Sequence, residues 1–361
     1  MRMERASTSS ALRAFHHLPA MVYRDNPCHR STEESLTRLL VDGPTVFHRH
    51  AVVAPYLLRE GDRVVGRCAL IHDENLPDAV QVAFFEALPG VSGLCAGILG
   101  EARAFRPQAA RIVVGLNGHL NYGAGFLLNH FDEPPVFGLP YTPPYYADYF
   151  TALALRAMVS FRFSLREFGA WADAQPAGDI DGITVRAMDP RRLPREVEQY
   201  THIDNASFTD TPYWSARLPE ENYELFHPFR HLLKGENLLF AEREGKPLGF
   251  LLWYPDFNRL VGSGRDLGLR EVLRYRLANP IDTVRFTEIA VLPGARHSRV
   301  VYAMILRMIA IIRRDGYANC EGGFIFEENR PSITMTVKYL ERAFGAKMAP
   351  YRRYGMFEGA L

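Results

Sequence analysis

With 361 residues, 47% hydrophobic and 23% charged, the chain has the composition of a folded globular protein and the length of two ordinary domains. Its 42 basic and 41 acidic side chains nearly cancel, which disfavours nonspecific nucleic-acid binding through bulk charge. Four cysteines, none in a Cys-x-x-Cys pair, exclude a disulfide scaffold and a cysteine-rich zinc site, and no metal is expected.

Residues 1–18 carry arginines and serines but no apolar core, which excludes a secretory signal. They read as a disordered tail, with an organelle transit peptide as the alternative. The apolar run Ala303 to Ile312 is broken by Arg307 and is far too short to span a bilayer, so no membrane partner is expected and the chain is placed in the cytoplasm.

An internal repeat follows. Ala54 to Gly66 and Leu238 to Gly249 are each an apolar run reaching an Arg-Glu-Gly turn, after which a glycine opens a second apolar run; both predict β-hairpins. Val82 to Gly90 and Phe286 to Gly294 are strand-like runs that both end in Leu-Pro-Gly. Helical stripes come next. Leu94, Ile98, Leu99, Ala102 and Phe105 mark one, and Val300, Val301, Met304, Ile305, Met308, Ile309 and Ile312 the other. Each leads to a strand, and late strands near Met158 and Met348 complete the match. Four features in the same order predict a tandem duplication, with halves over 19–172 and 182–361 and a boundary in the Ala, Asp, Gly and Pro stretch 172–181. The second half carries an insertion, Arg259 to Ile281, read as a mobile Gly- and Arg-rich loop before a short helix.

The second half runs strand, two helices, hairpin, long strand, Leu-Pro-x-x-Arg turn, helix, strand, helix and final strands. That order resembles the GNAT superfamily of acyl-CoA N-acyltransferases, and the whole chain resembles the uncharacterised bacterial tandem GNAT-like proteins. The first half adds Gly115-Leu-Asn-Gly-His119-Leu-Asn121-Tyr-Gly to that likeness. The resemblance implies an α/β (α+β) fold: two tandem domains, each a central mixed, mostly antiparallel sheet flanked by helices. It also implies transfer of an acyl group, acetyl first among them, from acetyl-CoA or another acyl-CoA to the amine of a small-molecule or amino-acid-like acceptor.

In the family, a strand splays from its neighbour and frees backbone groups for the pantetheine arm, here expected at Ile289 and Val291. The next helix holds the diphosphate on its N-terminal amides. The loop reads Arg296-His297-Ser298-Arg299-Val300-Val301; Arg299 and Val301 stand where the family has small residues. Two readings follow: the guanidinium groups bind phosphate directly, or the donor site has decayed. Glu288, on the strand before the turn, is the candidate base, with a sheet carboxylate paired to Arg285 as the structural alternative. Tyr339 is the candidate acid for the leaving thiolate, though its spacing to Gly345 departs from the pattern. Asn329 resembles the Asn that opens the helix beside CoA.

On the first half's Gly-rich loop, Asn117, Asn121 and Tyr122 are candidate substrate contacts and His119 a second candidate base. A loop satisfied by its own turn bonds is the structural alternative. Asp204, Tyr213 and Trp214 are further acceptor contacts, their aromatic and acidic character suiting a cationic amine. Two other functions stay open. Paired halves of this kind also take aminoacyl groups from tRNA, and 38 of the 42 basic residues are arginine. A diverged, non-catalytic ligand-binding protein is the third reading.

Overall fold

The computed structural model describes residues 1–165, 180–296, 299–344 and 347–361, with the side chains of 339, 340 and 342–344 outside the description. The first half runs β1 (Arg2–Arg5), α1 (Ser9–Val22), α2 (Glu34–Val41), β2 (Ala51–Glu60), β3 (Arg63–Asp73), β4 (Ala79–Ala87), α3 (Leu94–Phe105), β5 (Arg111–Val114), the short β6 (Phe126–Leu127) and β7 (Ala154–Ser164). The second runs β8 (Thr184–Ala187), α4 (Leu193–Ser207), α5 (Pro219–Phe226), β9 (Leu238–Arg243), β10 (Lys246–Pro255), α6 (Leu269–Ala278), β11 (Thr283–Val291), α7 (Val300–Arg314), β12 (Asn319–Phe326), α8 (Arg330–Phe344) and β13 (Arg353–Ala360).

The two Arg-Glu-Gly turns close the hairpins β2–β3 and β9–β10, with Gly61 at φ 58° and Gly245 at φ 73°, a region that glycine enters without strain. Strands β3 and β4 are buried almost end to end, because helices cover both faces of the sheet and leave no solvated side to alternate toward. Helix α7 buries Val300, Met304, Met308, Ile311 and Ile312 and turns Arg307 outward, and Arg313 and Arg314 in its last turn suit the negative end of its dipole. No helix among the described residues is long and apolar enough to cross a membrane.

Residues 1–18 are not a disordered tail. Strand β1 pairs antiparallel with β2, from Arg2 opposite Arg59 to Arg5 opposite Tyr56, and α1 buries Phe15 and Leu18. Ion pairs of Glu4 with Arg2 and Arg59 hold a strand whose own apolar content is small. The boundary stretch 172–181 falls mostly outside the described residues.

The described strands form one sheet in the order β1-β2-β3-β4-β5-β13-β7-β12-β11-β10-β9-β8, with the short β6 pairing β13 off this path. The two late strands are exchanged. Strand β13, last in the chain, pairs with β5 of the first half (Phe357 opposite Val114), while β7 of the first half pairs with β12 of the second (Phe161 opposite Gly322). The strands β7 and β13 also pair with each other, which joins the halves at their centre.

Each half contains one parallel pair that runs together for only four residues. Strands β4 and β5 pair from Ala79–Arg111 to Val82–Val114, and β11 and β12 from Thr283–Asn319 to Phe286–Gly322. Beyond those points the partners part, so each half contains a fork. In the first half the segment 115–127 fills it. The Gln81 amide exchanges two hydrogen bonds with the Gly118 backbone (3.2 and 2.9 Å), and Asn117 Oδ1 accepts from the Phe84 amide at 2.9 Å. In the second half the fork stays open.

Candidate functional site

A cavity of about 510 Å³ passes through the open fork and lies between the halves. Its walls are mostly aromatic and aliphatic. Val301, Ile305, Met308 and Ile309 of α7 and Met335 and Thr336 of α8 line one side. Tyr200, Phe208, Trp214, Phe226 and Phe229 line the other, joined there by Leu36, Leu39, Leu120 and Phe137 of the first half. The volume is that of an ordinary ligand site, and the lining is far more apolar than a small amine needs.

A β-bulge on β11 arranges its polar groups. Glu288 lies opposite Leu252 and Phe286 opposite Trp253, so Thr287 has no counterpart on β10. One extra residue shifts the alternation by one step, and Arg285 and Glu288 therefore share a face of the strand. Beyond Phe286 the edge of β11 that faced β12 has no strand partner among the described residues, which frees backbone groups toward the cavity.

Glu288 accepts a hydrogen bond from Tyr200 Oη at 2.7 Å, and Asn121 Nδ2 donates to the same phenol at 3.1 Å. Tyr200 and Asp204 stand one turn apart on α4, so both reach β11. Asp204 is fully buried and bound to Arg217 at 2.5 Å, itself buried. Withdrawal from water, then the charge of Asp204, push the Glu288 carboxyl well above its usual range; Arg217 and the Tyr200 hydroxyl oppose this. Asp204 is raised too, by burial first, with Arg217 opposing. One Asp204 oxygen has no donor. The two buried carboxyls act on each other, so their titration belongs to the pair rather than to either one. A carboxyl raised in this way is a stronger base than an ordinary carboxylate.

Of the residues singled out from the sequence, Glu288, Ile289, Val301, Asn329, Asn121, Tyr122 and Trp214 line the cavity. Glu288 does not pair with Arg285, whose recorded partners are Phe137 O, Tyr254 Oη and Gly323 O. Val300 is buried in the core under β11, and Val291 pairs with Gly249 and packs in the same core. Asn329 caps the start of α8 by accepting from the Ser332 amide at 3.2 Å. Arg296 and Arg299 are exposed at the start of α7, Arg296 donating to Ser207 O at 2.8 Å and Arg299 lying 3.8 Å from Asp181. His297 and Ser298 lie outside the described residues, as does the side chain of Tyr339, whose backbone belongs to α8.

Others are placed away from the cavity. Asn117 sews the first half's fork shut. His119 is fully buried, its Nδ1 accepts from the Asn121 amide at 3.1 Å, and its ring meets Trp214 edge-on. Burial, helped by the charges of Arg217 and His50, holds it far below the ordinary imidazole range and therefore neutral. Tyr213 donates to Glu358 and accepts from Arg156, bridging to β13 and β7. Asp204 acts on Glu288 from behind and does not line the cavity.

Sequence reading missed Tyr200 and Arg217 and gave Arg285 only as an ion-pair partner for Glu288. The spacing of Tyr200 to Asp204 on one helix face was a usable signal. No pattern marks Arg217, which reaches Asp204 from an irregular loop.

No family model matches the chain. It is 22% identical over 377 aligned positions to Protein YghO of Escherichia coli (strain K12), covering 96% of this chain and 92% of that one. It is 24% identical over 233 positions to the bacterial ceramide synthase of Caulobacter vibrioides (strain NA1000 / CB15N), covering 60% of each. Among solved structures, a tandem GNAT protein from the clavulanic acid biosynthesis pathway superposes with a TM-score of 0.57 at 13% identity, over 99% of this chain and 98% of that one. A GCN5-related N-acetyltransferase from Sphaerobacter thermophilus superposes with a TM-score of 0.50 at 14% identity, over 99% and 96%. The chain has the tandem GNAT fold, the mixed and mostly antiparallel architecture expected from its element order.

Proposed function

We propose that this tandem GNAT-fold chain is an N-acyltransferase that moves an acyl group from an acyl-CoA thioester to the amine of a long-chain, apolar acceptor. The observation that carries the reading is the open second fork, where a buried carboxylate dyad meets a continuous apolar cavity. An acetyl group and a small polar amine would leave most of that cavity without contacts, so a longer acyl chain fits better than the acetyl group expected from the family resemblance. The name of one relative, ceramide synthase, points the same way, a ceramide being by definition an N-acylated long-chain amine.

In this reading the thioester lies along the free edge of β11, on the α7 and α8 side. The N-terminal amides of α7 face the diphosphate, with Arg296 and Arg299 near enough in sequence to add charge-assisted bonds. The acceptor enters from the side shared with the first half. Its nitrogen attacks the thioester carbonyl carbon, a backbone N–H near Ile289 to Val291 stabilises the oxyanion, and the C–S bond breaks. The nitrogen's proton passes to Glu288 and the CoA thiolate is reprotonated, with Tyr339 the candidate donor. Amide and free thiol are the products.

The test is thiol release with acyl-CoAs of increasing chain length, with and without alkylamines. Release that requires an amine and strengthens with chain length is expected, and Glu288→Gln should lower kcat by about 10²–10⁴-fold while the variant stays folded. Release that ignores the amine at every chain length overturns the reading.

A further inference from the structure

Between β10 and β11 the second half carries residues 256–282, where the first half turns from β3 to β4 through residues 74–78 alone. The added stretch contains α6 (Leu269–Ala278). The sheet does not require that helix, since β3 and β4 pair without one.

Helix α6 is apolar on two sides. Val272 and Tyr275 pack inward, Tyr275 meeting Phe257 edge-on at 5.4 Å. Leu269, Leu273 and Leu277 face outward, 75%, 52% and 85% exposed, and among the described residues no other large hydrophobic side chain is as bare. Spaced four apart, the three leucines fall within about 80° of one another around the helix axis. A contiguous apolar stripe left in water is costly and marks a surface that something covers.

Arginines border the stripe. Arg276 and Arg270 fall about 20° beyond its two edges, with Arg274 next to Arg270. Arg270 and Arg274 have no carboxylate partner among the described residues, and Arg276 donates to His231 O (2.8 Å) and Leu233 O (3.4 Å). The acids beside them, Asp266 and Glu271, are taken up by the amides of Leu267 (2.7 Å) and Gly268 (3.0 Å). The face is therefore apolar at its centre and cationic at both rims.

That layering matches one occupant. A second copy of the chain would set arginine against arginine across the leucines, and like charges so placed repel. An anionic bilayer offers acyl chains at the depth of the leucines and phosphates at the level of the arginines. The helix is also held ready. Gly264 N bonds His29 O (3.1 Å), Ser31 N bonds Arg265 O (3.1 Å) and Ser263 Oγ bonds Asn26 O (2.6 Å), which fixes the strap leading into α6 against the first half. A preformed helix docks without the cost of folding one.

We propose that α6 docks the chain on the surface of an anionic bilayer, its leucines in the acyl boundary and its arginines at the lipid phosphates. A helix lying in the interface needs no spanning length, so the short apolar runs of the sequence do not oppose it. The proposal stands apart from the acyl-transfer reading. Arg276 grips the segment whose Pro228, Phe229 and Leu233 line the cavity, so docking through α6 brings that wall toward the membrane.

The test is flotation of the full chain with vesicles of phosphatidylglycerol and phosphatidylcholine in equal parts, against vesicles of phosphatidylcholine alone. Binding to the anionic vesicles should be about tenfold tighter or more, and lost in about 0.5 M salt. Leu269→Ser, Leu273→Ser and Leu277→Ser together should weaken it by about 10²–10³-fold and, the side chains being exposed, leave Tm unchanged. Arg270→Gln with Arg274→Gln should cost about fivefold per arginine on anionic vesicles and nothing on neutral ones. No binding to either vesicle, or binding that the serine variant keeps, overturns the proposal. Equal binding to both vesicles overturns the role of the arginines. A dimer in solution that the serine variant abolishes, read by sedimentation, gives the stripe to a second copy and overturns the bilayer.

Discussion

At the scale of the residue, Glu288 is held by opposing forces that can be varied one at a time. Burial and Asp204 raise its carboxyl, whereas the Tyr200 hydroxyl and Arg217 lower it. A base works only when ionised, so the acid limb of kcat/KM should lie above the ordinary carboxylate range. Tyr200→Phe removes a stabilising donor and should move that limb to higher pH. Asp204→Asn removes a like charge and leaves Arg217 uncompensated, and should move it to lower pH. A limb that ignores both changes would show that Glu288 is not the titrating group. The place of Glu288 was legible in the sequence because the Leu-Pro-Gly turn fixes where the strand ends, and the position is counted back from there. Arg285 was legible only as a neighbour. That it shares a face with Glu288 depends on the bulge at Thr287, and a bulge is a property of pairing with β10, which the local sequence does not encode.

At the scale of the element, α5 is tied to the first half by a buried charge cluster. His50 bridges Asp73 and Glu221 at 2.9 Å each, both carboxylates fully buried, while Ser215 donates to Asp73 and Tyr122 to Glu221. Hydrogen bonds that the imidazole donates to Asp73 and Glu221 raise it from 6.5 to about 10, against the pull of burial. The folded state therefore binds a proton more tightly than the unfolded one. This contribution to stability is present in full below about pH 6.5 and is lost as pH rises through about 10. His50→Gln should flatten the decline of Tm over that window. His50→Ala strands two buried carboxylates and should destabilise by about 3–5 kcal/mol, measured by denaturant unfolding. The hairpins were readable because their glycines and strand formers are local signals. Strand β1 was not, since Arg-Met-Glu-Arg looks like solvated tail until Glu4 and Arg59 are brought together.

At the scale of the whole molecule, the exchange of β7 and β13 means that neither half can complete its own sheet. Removing residues 353–361 strips the partner from β5 and from one edge of β7, exposing buried ladders. The shortened chain should aggregate or unfold as one unit, and the missing strand supplied as a peptide should restore solubility in part. A stable, soluble second half made alone would contradict this. The duplication was legible from repeated turns and stripes, but the exchange was not: a late strand that suits one half's sheet suits the other's equally well, and only their three-dimensional competition decides.

The first half's fork is packed with its own loop, while Leu36, Leu39 and Phe137 of that half form part of the cavity wall. Under the proposed function, substitutions there reshape which molecules are admitted without touching Glu288. On that reading, duplication left one half to hold the buried carboxyl pair and its twin free to vary the wall that meets the acceptor.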